Sequence, residues 1–81
     1  MQIVYVLKSE QDRNLYIGCT SNLKKRLDMH NKGKVLSTRS RRPFKLVYSE
    51  SFSDKYKAFL TERLYKTTKG KRVLLEKIKS S

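Results

Sequence analysis

The longest unbroken apolar run in the chain, Ile3-Val4-Tyr5-Val6-Leu7, is only five residues long. That brevity decides much of what the polypeptide can become. A membrane-spanning helix needs roughly 20 such residues, and no basic segment precedes the run as it would in a secretory leader. The run is β-branched and aromatic, which is the composition of a strand. Because 37% of the 81 residues are hydrophobic and 33% are charged, the apolar residues suffice for one thin core and no second domain. A single domain over residues 1–81, soluble and cytoplasmic, is the expectation.

Residues 2–8 are followed by the polar stretch Ser9–Asn14 and a second short run, Leu15–Cys19, which predicts a β-hairpin. With its loop centred on Gln11 and Asp12, Tyr5 sits opposite Gly18 and Leu7 opposite Tyr16, so both phenols share one face. Gly18, having no side chain, suggests the close approach of another group, the Tyr5 ring. Thr20, Ser21 and Asn22 can cap a first helix with Leu23, Leu27 and His30 on one stripe, Arg26 and His30 being surface neighbours beside it, and Gly33 can end it. Residues 33–43 carry Gly33, Pro43 and the run Arg39-Ser40-Arg41-Arg42 with little apolar content, and predict an exposed loop.

Residues 45–52 predict a third strand. Ser53-Asp54 can cap a second helix over 55–66, with Ala58, Phe59 and Tyr65 on one arc and Tyr56, Leu60 and Leu64 on the other, so it should be sandwiched. Glu62 projects from the first arc, where a carboxylate is costly unless a cation or hydrogen-bond donors meet it; Arg26, Lys66 and Lys69 are candidate partners. Thr67–Lys71 predicts a turn, after which Val73, Leu74, Leu75 and Ile78 form the stripe of a short third helix covering the second helix's other side. The fold class is therefore α/β of the α+β kind, in β-β-α-β-α-α order: a small three-stranded, mainly antiparallel sheet flanked by three helices.

Twenty Lys and Arg against seven Asp and Glu give a net charge of +13, beyond the charge of about 2 to 8 that keeps a small domain soluble. A polyanion is the partner this excess asks for, nucleic acid ahead of anionic lipid because no amphipathic basic helix with bulky apolar anchors is evident. Lys24, Lys25, Lys34, Arg39, Arg41, Arg42, Lys69, Lys71 and Arg72 are candidate phosphate contacts rather than base readers, which predicts weak sequence preference. The lone Cys19 excludes an internal disulfide, and no Cys/His cluster has zinc-site spacing.

Tyr5, the tripeptide Tyr16-Ile17-Gly18, Arg26, His30 and a helical Glu62 together resemble the GIY-YIG nuclease family over nearly the whole chain. Tyr16 follows Tyr5 by eleven residues and Arg26 follows Tyr16 by ten, as in that family. The resemblance is strongest to its short stand-alone members, related to the N-terminal nuclease module of the nucleotide-excision repair subunit UvrC. The first signature here is Ile3-Val4-Tyr5, without the glycine, and the asparagine that some homing-endonuclease members carry after the glutamate has no clear counterpart.

The resemblance implies a metal-dependent endonuclease that hydrolyses phosphodiester bonds in DNA, in a setting of repair, recombination or mobile elements. Tyr5, Tyr16, Arg26, His30 and Glu62 would be catalytic, and Glu62 would hold one Mg²⁺ or Mn²⁺ ion. Arg26 would clamp the scissile phosphate, and Tyr5 or Tyr16 would orient or deprotonate the attacking water. Similarity favours Tyr5 as the base with His30 assisting, and a proton relay through His30 is the rival. An RNA-directed nuclease and a nucleic-acid-binding module without catalysis are the alternatives, and the oligomeric state stays open.

Overall fold

In the computed structural model, which describes residues 1–80, the apolar run lies at the centre of the molecule. Strand β1 (Gln2–Ser9) pairs antiparallel with β2 (Leu15–Thr20) on one side and β3 (Phe44–Phe52) on the other, giving the sheet order β2-β1-β3. Helix α1 (Leu23–Asn31) follows β2, a 3₁₀ helix (Leu36–Arg41) leads into β3, and α2 (Lys55–Tyr65) and α3 (Thr68–Ser80) complete the expected β-β-α-β-α-α order.

Both faces of β1 are covered, which is why its residues read as a continuous apolar run rather than an alternation. Val4 and Val6 pack with Ile17, with Ala58 and Tyr65 of α2 and with Leu74 of α3. Tyr5 and Leu7 point the other way, toward Phe44, Tyr16 and the α1 residues Leu23 and Leu27. The hairpin register is the expected one, with Tyr5 opposite Gly18 and Leu7 opposite Tyr16. A bulge in β3 leaves Val47 between the pairs Val6–Tyr48 and Leu7–Leu46. This extra residue reverses the alternation, so Tyr48 faces the α2 side while Phe44 faces α1.

The helix starts follow their caps. The Asn22 side chain accepts from the Lys25 amide at 3.1 Å and that of Asp54 from the Tyr56 amide at 2.8 Å, each satisfying one of the first-turn donors a helix leaves open. Asn31, the last residue of α1, docks that helix onto β3 by accepting from the Phe44 amide at 2.7 Å and donating to its carbonyl at 3.3 Å.

Three expectations are corrected. The segment 33–43 is not simply an exposed loop: it forms the 3₁₀ helix, whose Thr38 is fully buried. It is pinned to the hairpin, because the Ser9 hydroxyl donates to the Arg41 carbonyl and the Arg41 guanidinium donates to Asp12 at 2.7 Å and to the Leu15 carbonyl at 3.4 Å. Nor is Thr67–Lys71 a turn, since α3 begins at Thr68 and contains Gly70. Thr67 accepts from the Gly70 amide at 3.0 Å, and a side chain at Gly70 would overlap the Leu64 carbonyl where the two helices meet.

Helix α2 is not sandwiched either. Ala58 and Tyr65 are buried, but Phe59 is 49% exposed, and Tyr56, Leu60 and Leu64 also face outward. Leu74 joins the same cluster as Ala58 and Tyr65, so α3 closes that core from the flank of α2 and leaves the outer arc of α2 uncovered. Of the predicted α3 stripe, Leu74 and Ile78 enter that core while Val73 and Leu75 remain half exposed.

Candidate active site

Gly18 makes room for the site. On the edge strand β2, directly opposite Tyr5, it leaves its face of the sheet bare, and the Tyr5 ring lies across it so closely that a methyl group there would overlap the phenol. Tyr5 is thereby 1% exposed, with its hydroxyl 3.1 Å from His30 Nε2 and receiving a hydrogen bond from Arg26 Nε at 3.4 Å. Arg26 and His30 are one helical turn apart on α1, so a single helix delivers both groups to the same phenol.

Tyr16, two residues before Gly18 on the same face, is half-buried, with its ring centroid 6.4 Å from that of Tyr5 and 4.9 Å from that of His30. Of the two phenols it is the one solvent reaches. His30 itself is fully buried, packed edge-on against Phe44 and Tyr16, and its Nδ1 lies 2.9 Å from the Thr38 hydroxyl.

The electrostatics follow from burial. Burial pushes the Tyr5 phenol above its ordinary value, against the opposing pull of its Arg26 hydrogen bond. Hydrogen bonding to Tyr5 makes Arg26 harder still to deprotonate, with smaller help from Tyr16. Burial, aided by the nearby Arg26 charge, holds His30 below its ordinary value, which favours the neutral ring with one nitrogen free to accept.

Glu62 comes from the opposite layer. It sits half-buried on α2, where its carboxylate accepts from Lys66 Nζ at 3.0 Å, so of the candidate partners Lys66 is the one that meets it. Burial chiefly, with a smaller contribution from the Glu62 charge, raises both the Cys19 thiol and the Tyr5 phenol. Among the described residues no three His, Cys, Asp or Glu side chains gather around one point. A lone carboxylate suits a hard divalent ion of the Mg²⁺ kind, which keeps waters and substrate oxygens for most of its shell.

The nine candidate phosphate contacts divide between two layers. Lys24 and Lys25 lie exposed on α1 and Lys34 just beyond it. Of the arginine run, Arg41 is held by Asp12 and Arg39 donates to the Gly33 carbonyl at 2.9 Å, while Arg42 is exposed beside Gly33. Lys69, Lys71 and Arg72 are exposed on α3, which packs on the other face of the sheet. Sequence reasoning missed the positioning roles of Ser9 at the end of β1, Asp12 in the hairpin loop, Asn31 at the end of α1 and Thr38 in the 3₁₀ helix. No local pattern marks a threonine eight residues after a histidine as its partner.

No helix among the described residues is long and apolar enough to cross a membrane. The model of the GIY-YIG catalytic domain matches residues 1–77. The UPF0213 protein of Streptococcus agalactiae serotype V is 47% identical over 64 residues, covering 78% of this chain and 72% of that protein. The UPF0213 protein of Clostridium perfringens is 43% identical over 82 aligned positions, covering 99% and 87%. The solution NMR structure of the UPF0213 protein BH0048 from Bacillus halodurans superposes with a TM-score of 0.59 at 32% identity, covering 94% of this chain and 84% of that one. With its two tyrosines, arginine, histidine and glutamate set on the matched fold, the chain belongs to the GIY-YIG catalytic domain family.

Proposed function

We propose that the protein is a divalent-metal-dependent endonuclease that hydrolyses phosphodiester bonds in DNA with little sequence preference. The observation that carries this reading is the convergence of Arg26, Tyr5 and His30 over Gly18, beside the accessible phenol of Tyr16. Hydrolysis needs a positioned water and neutralisation of the charge that grows on the phosphoryl oxygens.

Arg26 supplies a permanent charge whose planar donors match phosphate, and it is half-buried, where its field is less screened than in open water. Tyr16 is the phenol a water can reach, and it orients that water. Phenols in general are ionised to only about one part in a thousand at neutral pH, so proton removal depends on the cations around the site. Tyr5, inaccessible and raised by burial, acts from beneath by holding Arg26. Glu62 would hold the divalent ion in place of its contact with Lys66, and the ion when bound supplies Lewis-acid neutralisation of the transferring phosphoryl group. The exposed cations Lys24, Lys25, Lys34 and Arg42 would grip the backbone on the α1 side.

The test is cleavage of labelled single-stranded, duplex, branched and RNA substrates in Mg²⁺ and in chelator. Metal-dependent cleavage of a DNA substrate supports the reading, and preferential cleavage of RNA turns it toward an RNA-directed nuclease. Tight binding with no cleavage of any substrate would leave only a nucleic-acid-binding module.

A further inference from the structure

The buried polar side chains behind Arg26 form one chain whose hydrogen-bond direction can be worked out from donors and acceptors alone. The Tyr5 oxygen has two partners among the described residues, Arg26 Nε and His30 Nε2. Arginine can only donate, so the single Tyr5 proton has His30 Nε2 as its acceptor, and Nε2 must carry no hydrogen. The proton of the neutral ring is then on Nδ1, which donates to the Thr38 hydroxyl at 2.9 Å. That hydroxyl passes its own proton to the Val35 carbonyl at 3.4 Å. Reversing the chain would leave the Tyr5 proton without an acceptor beside a side chain that offers none, in a site where Tyr5, His30 and Thr38 are 1%, 0% and 0% exposed. An unmade bond in such a place costs about 1–3 kcal/mol.

We infer that Thr38 is a positioning residue: it accepts the Nδ1–H that the Tyr5 end of the chain requires of His30, holding the ring so that Nε2 accepts from Tyr5 and the Tyr5 oxygen is turned to receive and orient the Arg26 guanidinium. The direction runs from Arg26 through Tyr5, His30 and Thr38 to the Val35 carbonyl, every link donating the same way. The 3₁₀ helix is thus a part of the site, and its attachment to the hairpin through Ser9, Asp12 and Arg41 keeps Thr38 under the imidazole. The tautomer follows from hydrogen bonding alone, and its effect on turnover rests on the endonuclease reading.

His30 is the one histidine of the chain, so its ring nitrogens can be read without ambiguity in a long-range ¹H–¹⁵N spectrum of uniformly labelled protein at neutral pH. The natural protein should show a protonated Nδ1 and a bare Nε2, and Thr38→Ser, which keeps the hydroxyl, should show the same. Thr38→Val should leave the buried Nδ1–H without an acceptor, moving its proton and nitrogen resonances away from their hydrogen-bonded positions, and, where DNA is cleaved, slow turnover by roughly ten- to a hundredfold, the scale of a small misplacement of a reacting group. Thr38→Ser should stay within a few-fold of the natural protein.

An Nε2–H ring in the natural protein overturns the inference, and needs no variant to fold. So does a Thr38→Val protein whose Nδ1–H resonances and turnover both match those of the natural protein. If the natural protein shows the Nδ1–H tautomer and cuts nothing, the endonuclease reading fails while the assignment of Thr38 to His30 stands.

Discussion

Removing a single hydrogen atom from Gly18 in favour of a methyl group would displace the phenol that lies across it. Gly18→Ala should therefore cost activity by roughly a hundredfold, while circular dichroism shows the sheet intact, because position 18 itself tolerates an extended residue. His30 gives a second handle at this scale. Its folded value is held below the ordinary 6.5 by burial and by Arg26, so the neutral ring persists somewhat below pH 6.5. Activity that needs an accepting Nε2 should stay level down to that region and fall only as pH drops through the depressed value. The same shift makes His30 a source of stability that is fully present above its unfolded value and is lost as pH falls through its folded one. A kcat/KM profile and denaturant midpoints over pH 4.5–8, compared with His30→Gln, check both; an acid limb above pH 6.5 that is missing in His30→Gln would contradict the assignment.

At the scale of elements, burial separates residues that look alike in the sequence. Leu74 and Leu64 are both leucines on predicted helical stripes, yet Leu74 is 0% and Leu64 52% exposed. Leu74→Ala should cost about 2–5 kcal/mol by chemical denaturation, and Leu64→Ala only about 0.5 kcal/mol or less. Equal losses would restore the sandwiched α2 that periodicity suggested. The strands, the hairpin register, the caps at Asn22 and Asp54 and the stripe of α1 were legible because each rests on neighbours in sequence. The side chosen by α2 was not, because both its arcs are apolar and only the placement of α3 decides which one meets the sheet. The same limit hid the 3₁₀ helix. Arg39 to Arg42 reads as a solvated basic run, and it took Ser9 and Asp12, some 30 residues away in sequence, to hold Arg41 against the hairpin. Within the site, Tyr5, Tyr16 and Gly18 could be placed together from register alone, whereas Thr38 meets His30 only through a tertiary contact that no periodicity encodes.

Over the whole molecule the excess of positive charge is shared between the α1 side and α3, on opposite faces of the sheet. If about 6 phosphates are neutralised, the logarithm of duplex affinity should fall against log salt with a slope of about −5. Replacing Lys34 should flatten that slope by about 1 without altering any preference among sequences, as titrations at several salt concentrations would show; a slope near zero would remove electrostatic gripping. Whether these side chains hydrolyse a phosphodiester is decided by Mg²⁺-dependent single-turnover cleavage of end-labelled DNA, comparing the natural protein with Arg26→Ala and Glu62→Ala. Both substitutions should lower the rate by roughly a hundredfold or more while binding changes only a few-fold. Cleavage that survives both substitutions at the natural rate, or none by any of the three proteins despite tight binding, would contradict hydrolysis by these side chains.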